Sequence, residues 1–403
     1  MNTENPNKSP REIAWQKFKK NKLAVFGLIV LTAASLIAIL GSIIRPDDSK
    51  DANDQHLSLA KKPINFKVEM LAVRKNAEIE KGHFFSRFLF GGKESAYKSF
   101  PISSYHFKDD KLEIVKYSDF EGDLNETLSF NLLDVCYPIE SASYRTKGDR
   151  MFARGVDGKE ISMTISAAQE LIEQESIYTE SFLLGTDKFG RDLLSRLMAG
   201  TIVSLSVGLI SVFISLVLGI SLGALAGYFG GWIDELITWL INVVWSIPTL
   251  LLVIAITFAL GKGFVQVFIA VGLTMWVEVA RVIRGQVLGL KNLEYVQAAR
   301  ALGFTNRRII FRHILPNALG PVIVISAANF ASAILLEAGL SFLGIGAQIP
   351  MASWGQMINE HYIYITTSRA HLAIFPGLCI LILVLAFMLI GNGLRDSFDT
   401  RNA

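Results

Sequence analysis

Apolar positions in this chain fall in long unbroken blocks, not in the short alternations or one-sided stripes of a water-soluble protein. Residues 23–44, 197–233, 236–261, 263–277, 314–336 and 372–394 contain no charged side chain. Crossing the hydrocarbon core of a bilayer takes about 20 apolar residues in a helix. Five blocks reach that length outright, and the block from Gly263 reaches it when it continues past Glu278 towards Arg281. The pattern predicts an all-α polytopic membrane protein with six transmembrane helices, interrupted once by a polar insert at 45–182. Within the insert, residues 64–73, 112–117 and 160–165 alternate as strands do. Ser166-Ala-Ala-Gln169 reads as a capping box that opens a helix running to about Tyr178. The insert is expected to be a small α+β domain; an extended connector is the competing expectation.

The spans carry their own punctuation. Gly230-Gly231, flanked by Tyr228, Phe229 and Trp232, predicts a tight turn between the second and third spans. Pro248 predicts a kink in the third span, and Pro316 and Pro321 mark the start of the fifth. Glu278 and Glu337 read as lying at or near span ends, with Glu278 three residues before Arg281 and spaced to pair with it.

Composition agrees with the block pattern: 51% of residues are hydrophobic and 19% charged, against about 25% charged in a soluble domain. A soluble enzyme, a disulfide scaffold and a nucleic-acid-binding domain are set aside. The net charge of +3 conceals a segregation. Arg11, Lys17, Lys19, Lys20 and Lys22 precede the first span, and Arg281, Arg284, Lys291, Arg300, Arg307, Arg308 and Arg312 lie between the fourth and fifth. Short loops rich in Lys and Arg stay in the cytoplasm, so an even number of spans separates these segments, as four does. Both termini are then cytoplasmic and the insert is extracytoplasmic. The first block is longer than a signal-peptide core and reads as an uncleaved span. Cys136 and Cys379 fall in different environments and predict neither a disulfide nor a metal site.

The most informative segment is the basic loop Asn292-Leu-Glu-Tyr-Val-Gln-Ala-Ala-Arg-Ala-Leu-Gly303-Phe-Thr305, followed by Ile314-Leu-Pro316. Asn292 is placed to cap a short helix and Gly303 to stop it. Thr305 is placed to cap a second helix, and Pro316 marks where the next element begins. Ala298 and Ala299 keep the first helix narrow, while Leu293, Val296, Leu302 and Phe304 offer apolar contacts. The expected shape is a wedge of two helices about a glycine elbow, suited to a groove in another protein; an amphipathic loop lying on lipid headgroups is the alternative.

Gln297-Ala-Ala, Gly303 and Ile314-Leu-Pro316 resemble the signature loop of permease subunits in ATP-binding-cassette (ABC) importers of the dipeptide/oligopeptide type. The usual first residue of that signature is Glu, and Gln297 departs from it. Further segments are similar to the same family: Leu184-Gly-Thr-Asp187 to Arg196, Gly227-Tyr-Phe-Gly-Gly-Trp-Ile-Asp234, Leu340-Ser-Phe-Leu-Gly-Ile-Gly-Ala-Gln348, Ser353-Trp354-Gly355, Phe375-Pro-Gly377 and Gly393-Leu-Arg395-Asp396-Ser-Phe-Asp399. Lys17-Phe-Lys-Lys-Asn-Lys22 resembles the N-terminal region of one of the two permeases in such systems. The likeness covers residues 10–45 and 183–400; the insert is longer than the family's usual connector.

The resemblance implies a cytoplasmic tail at 1–22, a first span at 23–44, the insert at 45–182, a connector at 183–200, a five-helix core at 201–392 with its coupling loop at 284–315, and a cytoplasmic tail at 393–403. It implies a multi-pass protein of the bacterial inner membrane, working by alternating access. Tyr295, Gln297, Ala298, Ala299, Leu302, Gly303, Phe304 and Pro316 would form the loop that docks on the ATPase. The implied partners are a second homologous permease, two ABC ATPase subunits, an extracytoplasmic substrate-binding protein and membrane lipid, with no nucleic acid. Peptides are the default cargo, with nickel, sugar-linked peptides and antibiotics open, and no pathway-lining residue is assigned.

No catalytic or metal site is expected, and no cofactor bound by this chain, ATP and Mg belonging to the partner ATPases. Gly261-Lys262-Gly263 lacks the spacing of a phosphate-binding loop, and the histidines show no ligand spacing. Asn125-Glu-Thr127 fits a glycosylation triplet that is common by chance. The alternative function is a membrane receptor or sensor with an extracytoplasmic ligand domain; two co-purifying ATPases and a second permease would discriminate against it.

Overall fold

The computed structural model describes residues 10–77, 95–119, 126–261 and 263–398. Asn125, Lys262, Asp399 and the first nine residues of the N-terminal tail lie outside them. The chain opens with α1 (Pro10–Lys20) and α2 (Lys22–Ile44). The insert contributes β1 (Phe66–Arg74), β2 (Tyr97–Lys108), β3 (Lys111–Lys116), β4 (Thr127–Asn131), α3 (Leu132–Cys136), β5 (Arg145–Lys147), β6 (Arg150–Arg154), β7 (Glu160–Thr164), α4 (Ile165–Leu171) and β8 (Ile177–Phe182). Helices follow: α5 (Leu193–Phe229), α6 (Gly231–Trp245), α7 (Thr249–Leu260), α8 (Phe264–Leu290), α9 (Glu294–Ala301), α10 (Asn306–Ile309), α11 (Leu315–Phe342), α12 (Trp354–His361) and α13 (His371–Phe398). The chain divides into two units: Met1–Ala38, Gly200–Ile363 and Ala373–Ala403 form the helical unit, and Ile39–Ala199 with Tyr364–Leu372 the insert unit.

The insert folds as an α+β unit. One antiparallel sheet has the order β4-β3-β2-β1-β8 and a second the order β5-β6-β7. Alternation along β1 serves two layers: Leu71 and Val73 join Ile102, Leu112, Leu132 and Met151 in the main core, while Val68 and Met70 pack with Leu59 and Phe182 on the other face. The expected capping box is displaced. Thr164, not Ser166, caps α4, its hydroxyl accepting from the Ala167 N–H at 3.3 Å. The helical run continues from α4 through a π turn at Ile172–Ser176 and ends two residues before Tyr178, where β8 begins and pairs with β1.

Among the described residues, five rods are long and apolar enough to cross a membrane: Lys22–Ile44, Leu193–Phe229, Phe264–Leu290, Asn306–Phe342 and His371–Phe398. The sixth expected span is α6 and α7, bent by 95°. Pro248 supplies no N–H at this corner, and the kink expected there is a right-angle break. Gly230 and Gly231 make the tight turn before α6 at φ of +68° and +54°, where a β-carbon is disfavoured. Pro316 sits in the first turn of α11, as expected, and a π turn at Ile310–Ile314 joins that helix to α10 without a break.

The two glutamates differ in setting: Glu337 lies five residues before the end of α11, and Glu278 lies inside α8. Glu337 is 1% exposed, and its Oε1 accepts from the Ser341 and Ser353 hydroxyls, each at 2.7 Å. Glu278 lies in the middle of α8 and is exposed. Its expected pair does not form, because Arg281 stacks its guanidinium over Trp245 at 3.4 Å.

Candidate coupling site

The loop between α8 and α11 is built as an elbow with satisfied ends. α9 closes in a Schellman arrangement: Gly303 N–H donates to Arg300 O at 2.9 Å and Phe304 N–H to Ala299 O at 3.1 Å. Gly303 takes φ +77°, a conformation open to glycine. The Thr305 hydroxyl accepts from the Arg308 N–H at 3.4 Å and caps α10, as its sequence position predicts. Asn292 does not cap α9. Leu293 occupies that position, and the Asn292 side chain donates backwards to Leu288 O at 3.3 Å.

The helix phase sorts the expected contact residues into two faces. Val296 (0% exposed) and Ala299 (4%) turn inward and share one core with Tyr228, Ile283, Val287, Ile309 and Ile314. Phe304 is half-buried against the same core and stacks with His313, with Arg308 over its ring. These three brace the loop onto its own spans and are not available to a partner. Ala298, Leu302, Gly303 and Pro316 are exposed, Leu302 at 73%, and Leu293 and Phe311 add exposed apolar surface. Gln297 is exposed and donates to Asn292 O at 3.0 Å, so the position usually held by Glu ties the loop to itself. Tyr295 bridges to the next rod: its hydroxyl donates to His313 O at 3.4 Å and accepts from Asn317 Nδ2 at 3.2 Å.

Polar struts that the sequence did not reveal complete the bracing. Tyr228 Oη donates to Asn306 Oδ1 at 2.8 Å, Lys291 Nζ to Gly227 O at 2.8 Å, and Arg284 is bidentate to Asp234 at 2.5 and 2.7 Å. Such a fork-to-fork pair fixes direction as well as distance. The only sequence signal for it was that Asp234 ends a recognisable loop motif. This bracing ties the loop to α5, α6, α8 and α11.

A second feature lies within the insert unit, a cavity of about 1780 Å³ bordered by Asp47, Asp54, His56, Glu180 and Asp192. Burial opposes charge on His56, yet the Asp54 hydrogen bond and nearby carboxylates hold its pKa above the ordinary value. Burial likewise pushes the Glu180 carboxyl up to about 7; His56 pulls against this, and Asp54, Asp192 and Asp47 reinforce it.

Comparison with known proteins gives this geometry a setting. A family model described as the inner membrane component of binding-protein-dependent transport systems matches residues 219–403. Another, the N-terminal TM domain of oligopeptide transport permease C, matches residues 9–63. The chain is 42% identical over 218 residues to the glutathione transport system permease protein GsiD of Pectobacterium atrosepticum, covering 54% of this chain and 72% of that one. It is 43% identical over 217 residues to the dipeptide transport system permease protein DppC of Alkalihalophilus pseudofirmus, covering 54% and 71%. The inward-facing MetNI methionine ABC transporter superposes at a TM-score of 0.42 with 20% identity, over 50% of this chain and 95% of that one, a likeness too loose to build on.

Proposed function

The chain belongs to the family of inner membrane components of binding-protein-dependent transport systems, and on that premise we propose that it is the permease through which an ABC importer moves peptides or related small solutes. It forms the pathway with a second permease. Two ATPase subunits, which carry the ATP and Mg, dock beneath the α9–α10 elbow, and a substrate-binding protein delivers cargo from outside. Both termini lie in the cytoplasm. The insert lies on the opposite side of the inner membrane, where it receives the binding protein. Closure of the ATPases on ATP draws the elbows together and rocks the spans between inward and outward openings. Taking such an equilibrium from 1:99 to 99:1 requires about 5.5 kcal/mol of differential binding.

The observation that carries this reading is the two-faced elbow: an exposed apolar face at Leu293, Leu302 and Phe311, backed by a buried face that shares a core with the spans. Cysteine crosslinking in the assembled, transporting complex tests it. A Leu302→Cys chain is expected to capture an ATPase subunit, and an Ala299→Cys chain is not. Failure of Leu302→Cys to capture any ATPase in a complex that still transports would refute the docking role.

A further inference from the structure

Two sets of residues border the cavity of about 1780 Å³ in the insert unit: the segment 46–63 and one face of the main sheet. Tyr178, Glu180 and Phe182 alternate along β8 and so share that face, opposite Met70, Val68 and Phe66 of β1. The volume exceeds the roughly 300–1,000 Å³ of ordinary small-molecule pockets and leaves room for an extended chain with its water. Leu57, Tyr97 and Tyr178 stay exposed along the border and offer it apolar contacts.

The charges around this cavity are sorted into two groups. Asp47, Asp54, Glu180 and Asp192 gather about His56, so four carboxylates face one imidazole. Two of them are spent locally: Asp47 accepts from the Ser49 and Asp54 N–H groups at 2.8 and 3.1 Å, and Asp54 bonds His56 at 3.2 Å. The other two are not. Glu180 makes no hydrogen bond or ion pair among the described residues. Asp192 is 4% exposed, and its Oδ1 has no partner among them. Burial of such oxygens without a donor is costly, and an incoming cation supplies what they lack.

The second group is cationic. Lys62 is bonded to Asp119 and to Tyr117 Oη and lies over the Phe66 and Tyr117 rings. Lys61 lies over the Tyr364 ring at 5.4 Å. Arg369 acts on the same Asp119, and its guanidinium makes no hydrogen bond or ion pair among the described residues. Three cations thus face one carboxylate. Phe66, beneath Lys62, pairs with Phe182, two residues along β8 from Glu180. At about 3.3 Å per residue, the groups lie about 7 Å apart along the strand.

We propose that this cavity binds short peptides by both ends, the terminal ammonium at Glu180 and Asp192 and the terminal carboxylate at Arg369 and Lys61. A single amino acid carries both charges on one α-carbon and does not reach between the groups; a di- or tripeptide does. The choice of peptides among zwitterions of that length rests on the importer reading given above.

Calorimetry on the full chain in lipid nanodiscs, with no binding protein present, tests this. Ala-Ala-Ala is expected to bind and free alanine not to. N-acetylation and C-amidation of the tripeptide should each weaken binding about tenfold, the scale of one charge contact. Glu180→Gln is expected to cut the acetylation penalty to about threefold or less and to keep the amidation penalty, and Arg369→Gln to do the reverse. No binding of Ala-Ala-Ala, equal affinity for blocked and unblocked peptides, or penalties unchanged in both variants would overturn the proposal. A single substitution that removes both penalties would overturn the two-ended arrangement. The titration needs neither transport nor ATP hydrolysis, so its failure leaves the importer reading intact, while a chain that binds the tripeptide here and imports no peptide would refute the cargo reading alone.

Discussion

Glu180 illustrates how one side chain sets the pH response of the insert. It lies on β8 with its carboxyl facing Asp54, His56, Asp47 and Asp192, and its pKa rises from 4.5 to about 7. The folded state therefore keeps a proton that the unfolded chain releases between those values. Stability falls as pH climbs through that window, and the full penalty is present above about pH 7. The shift corresponds to at most about 3 kcal/mol. Glu180→Gln removes the titration, so hydrogen exchange of β8 amides in the full chain is expected to slow by one to two orders of magnitude relative to the unmodified protein at pH 8, and to match it at pH 4.5. Equal protection ratios at both pH values would show that this carboxyl is not the one titrating. Nothing in the sequence flags Glu180, because Asp47, Asp54 and His56, which face it, lie more than a hundred positions away.

At the level of elements, the α9–α10 elbow was the most legible part of the chain, since Gly303 and Thr305 are local signals with local consequences. What the sequence did not settle was the phase of α9. Val296 and Ala299 turn towards the spans and Ala298 and Leu302 away, a choice that depends on where Ile283, Ile309 and Ile314 lie. The two faces are expected to fail differently. Ala299→Asp buries an unpaired charge in that core and should lower the amount of inserted chain recovered from membranes. Gly303→Ala meets no neighbour but forces a β-carbon into φ +77°, at about 1–2 kcal/mol. That variant should insert normally and bind ATPase while yielding less uptake per ATP hydrolysed; unaltered coupling would show that the elbow need not be stiff. The corner between α6 and α7 was half legible: Pro248 announced a break, but the 95° angle belongs to the packing around it.

For the molecule as a whole, the block pattern conveyed a helical membrane unit carrying an α+β insert, while five of the described insert strands escaped notice: β4, β5 and β6 are only three to five residues long, β8 finds its partner β1 more than a hundred residues away, and β2 carries Pro101 within it. Residues 64–182 make a separable piece: Asn65 N–H donates to Leu183 O at 3.2 Å, so the two chain crossings lie side by side. Replacing that segment with a short glycine bridge is expected to leave the spans inserted and to abolish the stimulation of ATPase activity by loaded binding protein. Undiminished stimulation would reduce the insert to a spacer. The unbroken rod from Asn306 to Phe342 joins two features towards its opposite ends, the elbow and the buried carboxyl that grips Ser353. About 46 Å of helix separates Asn306 from Glu337, so a swing of about 5° at one end carries the other through about 4 Å. That travel exceeds the 2.7 Å hydroxyl contact itself. On the importer reading the rod acts as a crowbar: a nudge at the elbow is enough to spring a latch near its other end.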